Sequence, residues 1–193
     1  RKQHGCGGIT QSPMSHGELN ILLKSLRALP HETEWVEFKH NDAEPEEIGE
    51  YISALSNSAA LLGKDVSYIV WGIQDATHHV LGTSFKPHQR KVNGQELESW
   101  LTQHLTPRIH FRIHEFESEG LPIVLFEICP ANHMPVRFKD TEFIRVGSYK
   151  KKLKEFSEKE RALWQRFSRT PFEKGIAKRN ISGDEVLSLL EYP

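Results

Sequence analysis

The chain has 193 residues, of which 37% are hydrophobic and 26% charged, and its formal net charge is −1. This composition is typical of a globular domain whose core is large enough to fold without disulfide bonds. The chain contains no apolar run of transmembrane length, and its first residues lack the apolar region expected of a secretory signal. Its two cysteines predict neither a disulfide framework nor a zinc site. We therefore expect a cytoplasmic protein that does not bind membranes.

The N-terminal part of the chain predicts a tail followed by a helix. Residues 1–14 combine Gly, Ser, Gln and Pro without an apolar period, which predicts a disordered tail. In the stretch SHGELNILLKSLRAL, Ser15 and Glu18 have the spacing of a capping box. The leucines that follow recur at helical spacing, and Pro30 is expected to end this helix.

The stretch TEWVEFKH predicts a strand because apolar and polar residues alternate along it. The alternation places Glu37 and Lys39 on the same face as Trp35. Glu34 points to the opposite face and is interpreted as plain surface.

The middle of the chain predicts a helix, a buried strand and another helix. NDAEPEEIGEYISALSNSAALLG is expected to form a helix that Asn41 or Asp42 caps and Gly63 ends. VSYIVWGIQD is almost entirely apolar and of strand length, which predicts a central strand. NGQELESWLTQHL predicts a third, amphipathic helix. The expected buried stripe of the second helix consists of Ile48, Ile52, Leu55 and Ala59.

The second half of the chain predicts four further strands in RIHFRIHEFE, LPIVLFEIC, PVRFK and EFIRVG. A helix capped by Ser157 follows, and another begins after Ser182. The order of elements predicts an α+β fold with a single mixed β-sheet and packing helices. We expect one domain over residues 15–170, and we expect residues 171–193 to begin a linker or a following region.

Charge is distributed unevenly along the chain. Residues from Pro30 to Gly63 include eight acids and one base, a balance of −7. Residues from Arg137 to Arg179 include fourteen bases and six acids, a balance of +8. Two interpretations remain open: the basic segment binds an anionic partner, or the two segments form surfaces that partly neutralise each other.

Glu37, Phe38 and Lys39 form an E-x-K triplet on the predicted strand. Metal-dependent nucleases use such a triplet, in which the carboxylate binds Mg²⁺ and the lysine steadies the phosphate or the attacking water. A site of this kind needs at least one more acid. Asp75 at the end of the central strand and Glu32 just before the first strand are both candidates.

A second group of candidate residues is basic. Arg137 and Lys139 are expected to share a strand face, and Gly147 bends the chain into the lysine-rich stretch SYKKKLK. A ribbon rich in Arg and Lys beside an aromatic residue such as Tyr149 can follow a phosphate backbone, whereas the alternative is a solubilising loop. The predicted phosphate contacts are Arg137, Lys139, Arg145, Lys150, Lys151 and Lys152, with Lys39 as an additional candidate.

Several of these segments together resemble the Schlafen/AlbA-type DNA-binding domain. They are ETEWVEFK, the helix that contains Asn57, the apolar strand that closes in Gly72-Ile73-Gln74-Asp75, and the FIRVGSYKKK stretch. The resemblance extends from about His16 to Phe167. It implies a nucleic-acid-binding module, found at the N-terminus of bacterial transcriptional regulators and RecG-like helicase-related proteins, often before an ATP-binding-like segment and a winged helix.

Animal Schlafen members of this family resemble metal-dependent RNA endonucleases with three carboxylates. Glu32, Glu37 and Asp75 match that set in spacing, and the resemblance implies that they would bind Mg²⁺ or Mn²⁺ with Lys39 at the phosphate. This chain lacks the doubled arrangement of the animal proteins, which a homodimer could replace. It also has Ser58-Ala59-Ala60 where many bacterial members have a glycine-rich turn.

The leading hypothesis is a nucleic-acid-binding domain of a bacterial-type regulator or helicase-related protein, for which no cofactor is expected. DNA is favoured over RNA as the partner. The alternative hypothesis is a divalent-metal nuclease that uses Glu32, Glu37 and Asp75. A third hypothesis is a protein-interaction module whose basic residues are plain surface.

Overall fold

The computed structural model of the chain describes residues 14–29 and 33–168. The predictions made for the N-terminal tail, for Pro30, for Glu32 and for residues 171–193 concern residues outside these ranges. No helix within the described ranges combines the length and the apolar character needed to span a membrane.

Four α-helices and ten strands are formed by the described residues, together with two short 3₁₀ helices at Pro87–Gln89 and Leu153–Glu155. The helices are α1 (His16–Arg27), α2 (Pro45–Leu62), α3 (Leu97–His104) and α4 (Ser157–Ser168). The strands are β1 (Val36–Lys39), β2 (Ser67–Trp71), β3 (Lys91–Val92), β4 (Gln95–Glu96), β5 (Leu105–Thr106), β6 (Phe111–Ser118), β7 (Leu121–Ile128), β8 (Arg137–Phe138), β9 (Thr141–Val146) and β10 (Tyr149–Lys152).

The strands form two four-stranded sheets and one two-stranded ribbon. The first sheet has the order β1-β2-β7-β6, in which β1 runs parallel to β2 and the other pairs are antiparallel. The second sheet has the order β10-β9-β8-β5 and is antiparallel, and β3 pairs with β4 in the ribbon. The α+β class with a mixed sheet is therefore confirmed. The strands nevertheless divide between two sheets, because β5 and β8 to β10 pair only with one another.

The elements stack in layers around α2. Ile52 and Leu55 of α2 belong to a core that includes Trp71 of the first sheet and Phe138 of the second. On the far side of the first sheet, Leu23 of α1 and its neighbours pack against the apolar side chains of β1, β2 and β7. α4 packs beside the C-terminal end of α2, where Arg166 Nε donates to Leu61 O, and Leu163 of α4 also meets Ile144 of β9. The order of layers is thus α1, first sheet, α2 and second sheet, with α4 against the end of α2.

The predicted helix ends are only partly correct. The hydroxyl of Ser15 accepts a hydrogen bond from Glu18 N–H at 3.3 Å, and Glu18 Oε2 accepts one from Ser15 N–H at 2.7 Å, so the capping box of α1 is confirmed. Gly63 ends α2 in the left-handed region at φ 67°, as expected. The predicted cap at Asn41 or Asp42 is wrong, because Glu44 is the N-cap residue and no side chain caps the helix.

The polar side chains of α2 bind the backbone around β8 and β9. The Asn57 amide donates to Val136 O and to Phe143 O, each at 2.8 Å, and its Oδ1 accepts from Val136 N–H at 2.7 Å. The Ser53 hydroxyl donates to Val136 O at 2.7 Å, and the Ser58 hydroxyl accepts from Arg145 N–H at 3.0 Å. These bonds set the position of the second sheet relative to α2, since buried backbone groups must be paired.

Gly49 of α2 lies directly under the ring of Phe138. A Cβ atom at Gly49 would lie well inside the van der Waals distance of three carbons of that ring. We therefore expect Gly49→Ala to lower the free energy of unfolding by about 1 to 3 kcal/mol, because overpacking outweighs the better helix propensity of alanine. Urea denaturation measures the change. Gly17→Ala is the control, since a Cβ at Gly17 meets nothing within 4 Å. If Gly49→Ala were as stable as the native chain, the ring would have room to move.

Candidate nucleic-acid interface

Glu37 and Lys39 lie on β1, which forms one edge of the first sheet. Lys39 Nζ is 3.3 Å from Glu37 Oε1, so the two side chains share a face as predicted. Trp35 lies just before β1 and packs with the cluster on the opposite side of the sheet, so its predicted place beside them is wrong. Glu37 and Lys39 thus face α2 and the second sheet, whereas Phe38 between them packs on the α1 side.

Arg145 of β9 reaches Glu37 across the interior of the protein. Its Nη1 is 2.5 Å from Glu37 Oε2, and the two side chains are 0% and 6% exposed. Arginine is almost never this deeply buried unless a carboxylate neutralises it. The predicted contact of Arg145 with a phosphate does not fit this burial, because no part of the side chain reaches the surface. Arg145 instead joins the second sheet to the first.

Tyr51 of α2 lies at the centre of the polar interior, and the strand-based motifs did not predict it. The ring centroid is 4.6 Å from Lys39 Nζ, 4.4 Å from Lys150 Nζ and 5.5 Å from Arg145 Cζ. Burial and the nearby charge of Glu37 raise the pKa of Tyr51 to about 12, so the ring remains a neutral phenol at physiological pH. Its spacing of three residues from Ile48 is the sequence signal that it points inward.

Lys39 is held as a cation in this environment. Burial on its own would lower the pKa of Lys39, but the negative charges of Glu37 and Glu47 outweigh burial and raise it. Lys39 Nζ is 3.7 Å from Glu47 Oε1 and 3.4 Å from the Tyr51 hydroxyl. Lys39 therefore has three partners within the protein.

The acidic residues of α2 pair with basic residues of the second sheet. Glu46 Oε1 is 2.5 Å from Lys139 Nζ, and Glu50 Oε2 is 2.6 Å from Lys150 Nζ. Glu47 Oε1 is 3.8 Å from Lys150 Nζ. The acidic and basic segments of the sequence therefore neutralise each other in part, which was the second of the two interpretations of their charge.

Lys139 does not share a strand face with Arg137, because β8 ends at Phe138. Lys139 occupies the turn between β8 and β9 with φ 54°, and its ammonium lies 5.8 Å from the Trp100 ring and 5.7 Å from the Phe138 ring. It is a surface residue that is held over aromatic side chains by Glu46.

Three of the predicted phosphate contacts are exposed residues of β8 and β10. Arg137, Lys151 and Lys152 are exposed, and among the described residues Lys151 and Lys152 form no salt bridge with a carboxylate. Arg137 lies opposite Glu142 of β9; burial raises the pKa of Glu142, and the charge of Arg137 opposes that rise. β10, which was not predicted as a strand, forms one edge of the second sheet, and no other strand of the described residues pairs with its outer side. Tyr149 at its start is 68% exposed, and Lys151 Nζ lies 5.7 Å from the Tyr149 ring. This edge combines positive charge with an exposed aromatic ring.

Glu34 fixes the tip of the β9–β10 hairpin. Its Oε1 accepts a hydrogen bond from Gly147 N–H at 3.0 Å. Both carboxylate oxygens also accept from Lys159 Nζ of α4, at 2.8 and 3.0 Å. The interpretation of Glu34 as plain surface is therefore wrong, because it connects the start of β1 with the hairpin and α4.

Two of the three carboxylates of the nuclease hypothesis, Glu37 and Asp75, lie within the described ranges. Asp75 lies in an exposed turn beyond β2, and Glu32 lies outside the described ranges. Within those ranges, no group of three or more His, Cys, Asp or Glu side chains is placed to hold a metal ion. Both oxygens of Glu37 already face cations, namely Arg145 and Lys39. A divalent ion would have to displace the buried guanidinium, so this arrangement does not fit a resident metal at Glu37.

The chain folds as an α+β domain in which the β9–β10 hairpin forms a basic edge of the second sheet. Comparison of the sequence with family models identifies the family of this domain. The model of the family described as Schlafen, AlbA_2 matches residues 32–154. The chain belongs to this family, as the segments around β1, α2, β2 and β9 predicted. No curated protein sequence matches the chain.

Two solved structures are similar to the chain at low identity. The crystal structure of the DIP2311 protein from Corynebacterium diphtheriae is 16% identical, with a TM-score of 0.48 over 80% of this chain and 29% of that one. The solution structure of the N-terminal domain of a protein from Nitrosomonas europaea, described as related to the ATP-dependent DNA helicase RecG, is 18% identical. Its TM-score is 0.46, over 71% of this chain and 92% of that domain. The chain thus spans less than a third of the DIP2311 protein.

Proposed function

We propose that the chain binds nucleic acid, with DNA as the first candidate, through the edge strand β10. The observation that supports this most directly is the exposed set of Tyr149, Lys151 and Lys152 on that edge. Lysines beside an exposed aromatic ring suit a polymer that carries phosphates and planar bases. Membership of the Schlafen AlbA_2 family agrees with a role connected to nucleic acid.

The ion pairs inside the domain limit the number of phosphates that the proposed interface neutralises. Lys139, Arg145 and Lys150 face carboxylates of α2 and β1, so they contribute little net positive charge at the surface. Two of the six predicted contacts remain on β10, namely Lys151 and Lys152, whereas Arg137 of β8 lies opposite Glu142. Two phosphate contacts give a slope of about −2 in a plot of log Kobs against log salt concentration for duplex DNA. We therefore expect moderate affinity with a clear but not extreme salt dependence.

The double variant Lys151→Ala/Lys152→Ala tests the interface. We expect the salt slope to become shallower by about 2, because each lysine that contacts a phosphate contributes about one unit. Affinity at low salt should fall for every sequence alike, since phosphate contacts do not distinguish bases. Fluorescence anisotropy with labelled DNA and RNA, at several salt concentrations from about 50 to 200 mM, measures both quantities.

A matched control removes the same charge from another surface. Lys86 and Lys91 are exposed lysines in the segment between β2 and α3, away from the hairpin in sequence and topology. Lys86→Ala/Lys91→Ala should retain the salt slope of the native chain. If both double variants lost the same affinity and the same salt slope, binding would depend only on the net charge of the protein and not on the position of the lysines. The absence of binding to any nucleic acid at low salt would reject the proposal.

Cleavage forms no part of this proposal. Glu37 is occupied by Arg145 and Lys39, and its burial with Arg145 explains the carboxylate as a structural group. The E-x-K triplet then acts by holding the two sheets together, and the hairpin next to it carries the proposed contacts.

A further inference from the structure

We propose that Tyr149 is a base-stacking platform, so that the interface selects single-stranded nucleic acid over a duplex. This inference rests on the proposed function, and it specifies that the nucleic acid bound at β10 is single-stranded. An aromatic ring can stack on a base only when the base is unpaired or splayed out, whereas lysines bind the phosphates of either form.

The exposure of Tyr149 is the first supporting observation. Tyr149 as a residue is 68% exposed, whereas Trp71, Phe126 and Phe138 are buried in the core. Among the described aromatic residues that are exposed, Trp164 on α4 comes next at 44%. Isolated exposed apolar residues are common, but an exposed ring within a basic strand is the arrangement that single-strand-binding surfaces use.

The position of Tyr149 in the hairpin is the second observation. Gly147 turns the chain at φ 60°, and Glu34 holds the Gly147 N–H at 3.0 Å. Tyr149 follows this anchored turn and pairs with Val146 of β9. Because the backbone on both sides of the ring is held, little conformational entropy remains to be lost when a base stacks on it.

The alternation of β10 is the third observation. Lys150 faces α2, where it meets Glu50, so Tyr149 and Lys151 point to the other face of the strand. Residues two apart on a strand are separated by about 7 Å along it. A single strand of nucleic acid that lies along the edge strand β10 could therefore stack a base on Tyr149 and place a phosphate at Lys151. In a duplex the base faces are covered by neighbouring base pairs, and only the phosphate contact is available.

Three substitutions at Tyr149 separate stacking from other effects. Tyr149→Phe keeps the ring, Tyr149→Leu keeps an apolar side chain without a ring, and Tyr149→Ala removes both. We expect Tyr149→Ala and Tyr149→Leu to weaken binding of a single-stranded oligonucleotide by about 5- to 100-fold, and Tyr149→Phe to stay close to the native chain. All three should bind the duplex of the same sequence as the native chain does.

An abasic oligonucleotide provides the second measurement. It carries the same phosphates without bases, so the native chain should bind it as weakly as Tyr149→Ala binds the intact single strand. Thermal unfolding of each Tyr149 variant checks that the substitution leaves the fold intact.

The outcomes distinguish this inference from the proposed function. If the native chain binds single strands and duplexes equally and the Tyr149 variants do not differ, the stacking role is rejected while nucleic-acid binding stands. If the native chain binds neither, the proposed function itself fails. If Tyr149→Leu binds as tightly as Tyr149→Phe, the contact is apolar and the stacking role is also rejected.

Discussion

Glu37→Gln is expected to lower the free energy of unfolding by about 3 to 5 kcal/mol. The substitution keeps the size of the side chain and removes the carboxylate charge that lies 2.5 Å from the buried guanidinium of Arg145, and breaking a buried ion pair in this way is strongly destabilising. Lys39 also loses its partner at 3.3 Å. Chemical denaturation at neutral pH measures the loss from the transition midpoint, provided that the slope with denaturant is unchanged.

The double variant Glu37→Leu/Arg145→Met tests whether the loss of stability comes from breaking the buried ion pair. Replacing both partners of a buried ion pair with apolar side chains is often far less costly than removing one of them. We therefore expect the double variant to be more stable than Glu37→Gln. Arg145→Met alone should cost less than Glu37→Gln, because Lys39 remains beside the Glu37 carboxylate.

Glu46→Gln is the control for Glu37→Gln. Glu46 is an acid of α2 that also pairs with a cation of the second sheet, but its side chain is 57% exposed. Exposed pairs contribute about 0 to 1 kcal/mol, so this control should be close to the native stability. A gain in stability in Glu37→Gln would contradict our account, and it would be the result expected of a carboxylate that is kept for a metal ion.

Asn57→Ala is expected to destabilise the protein by a similar amount, about 3 to 5 kcal/mol. Asn57 is fully buried and makes three hydrogen bonds with the backbone at Val136 and Phe143. Alanine would leave Val136 N–H without its acceptor and would create a cavity, and each unpaired buried group costs about 1 to 3 kcal/mol. Denaturation measures the total, and faster hydrogen exchange around β8 and β9 would locate the loss.

Ser56→Ala is the control for Asn57→Ala. Ser56 is equally buried on the same helix, but its hydroxyl makes one recorded bond, to Cys129 O at 2.8 Å. We expect a loss of about 1 to 2 kcal/mol, because only one acceptor is affected. If Asn57→Ala cost no more than Ser56→Ala, the three bonds of Asn57 would not determine the position of the second sheet.

The features of the fold that were predictable depend on local signals. The capping box at Ser15, the left-handed end of α2 at Gly63 and the apolar run of β2 each follow from a few neighbouring residues. The second sheet was not predictable as a separate unit, since β5 and β8 have two residues each and show no period. β10 was missed because three consecutive lysines obscure the alternation of a strand.

The site was predictable in its residue types but not in its partners. Alternation correctly placed Glu37 and Lys39 on one face, because it depends only on the geometry of a strand. The burial of Arg145 could not be predicted, since it depends on a carboxylate more than one hundred residues away in the sequence. The role of Glu34 could not be predicted for the same reason, because its partner Gly147 is also more than one hundred residues away in the sequence.

The contacts of α4 determine where a truncated form of this domain can end. The family model ends at residue 154, before α4 begins. Leu163 of α4 is fully buried against Ile144 and Leu153, and Lys159 neutralises the carboxylate that holds the hairpin tip. A fragment that stopped at the family boundary would expose Ile144 and Leu153 and would leave the Glu34 carboxylate without the charge of Lys159. A fragment designed to preserve the interface should therefore include α4.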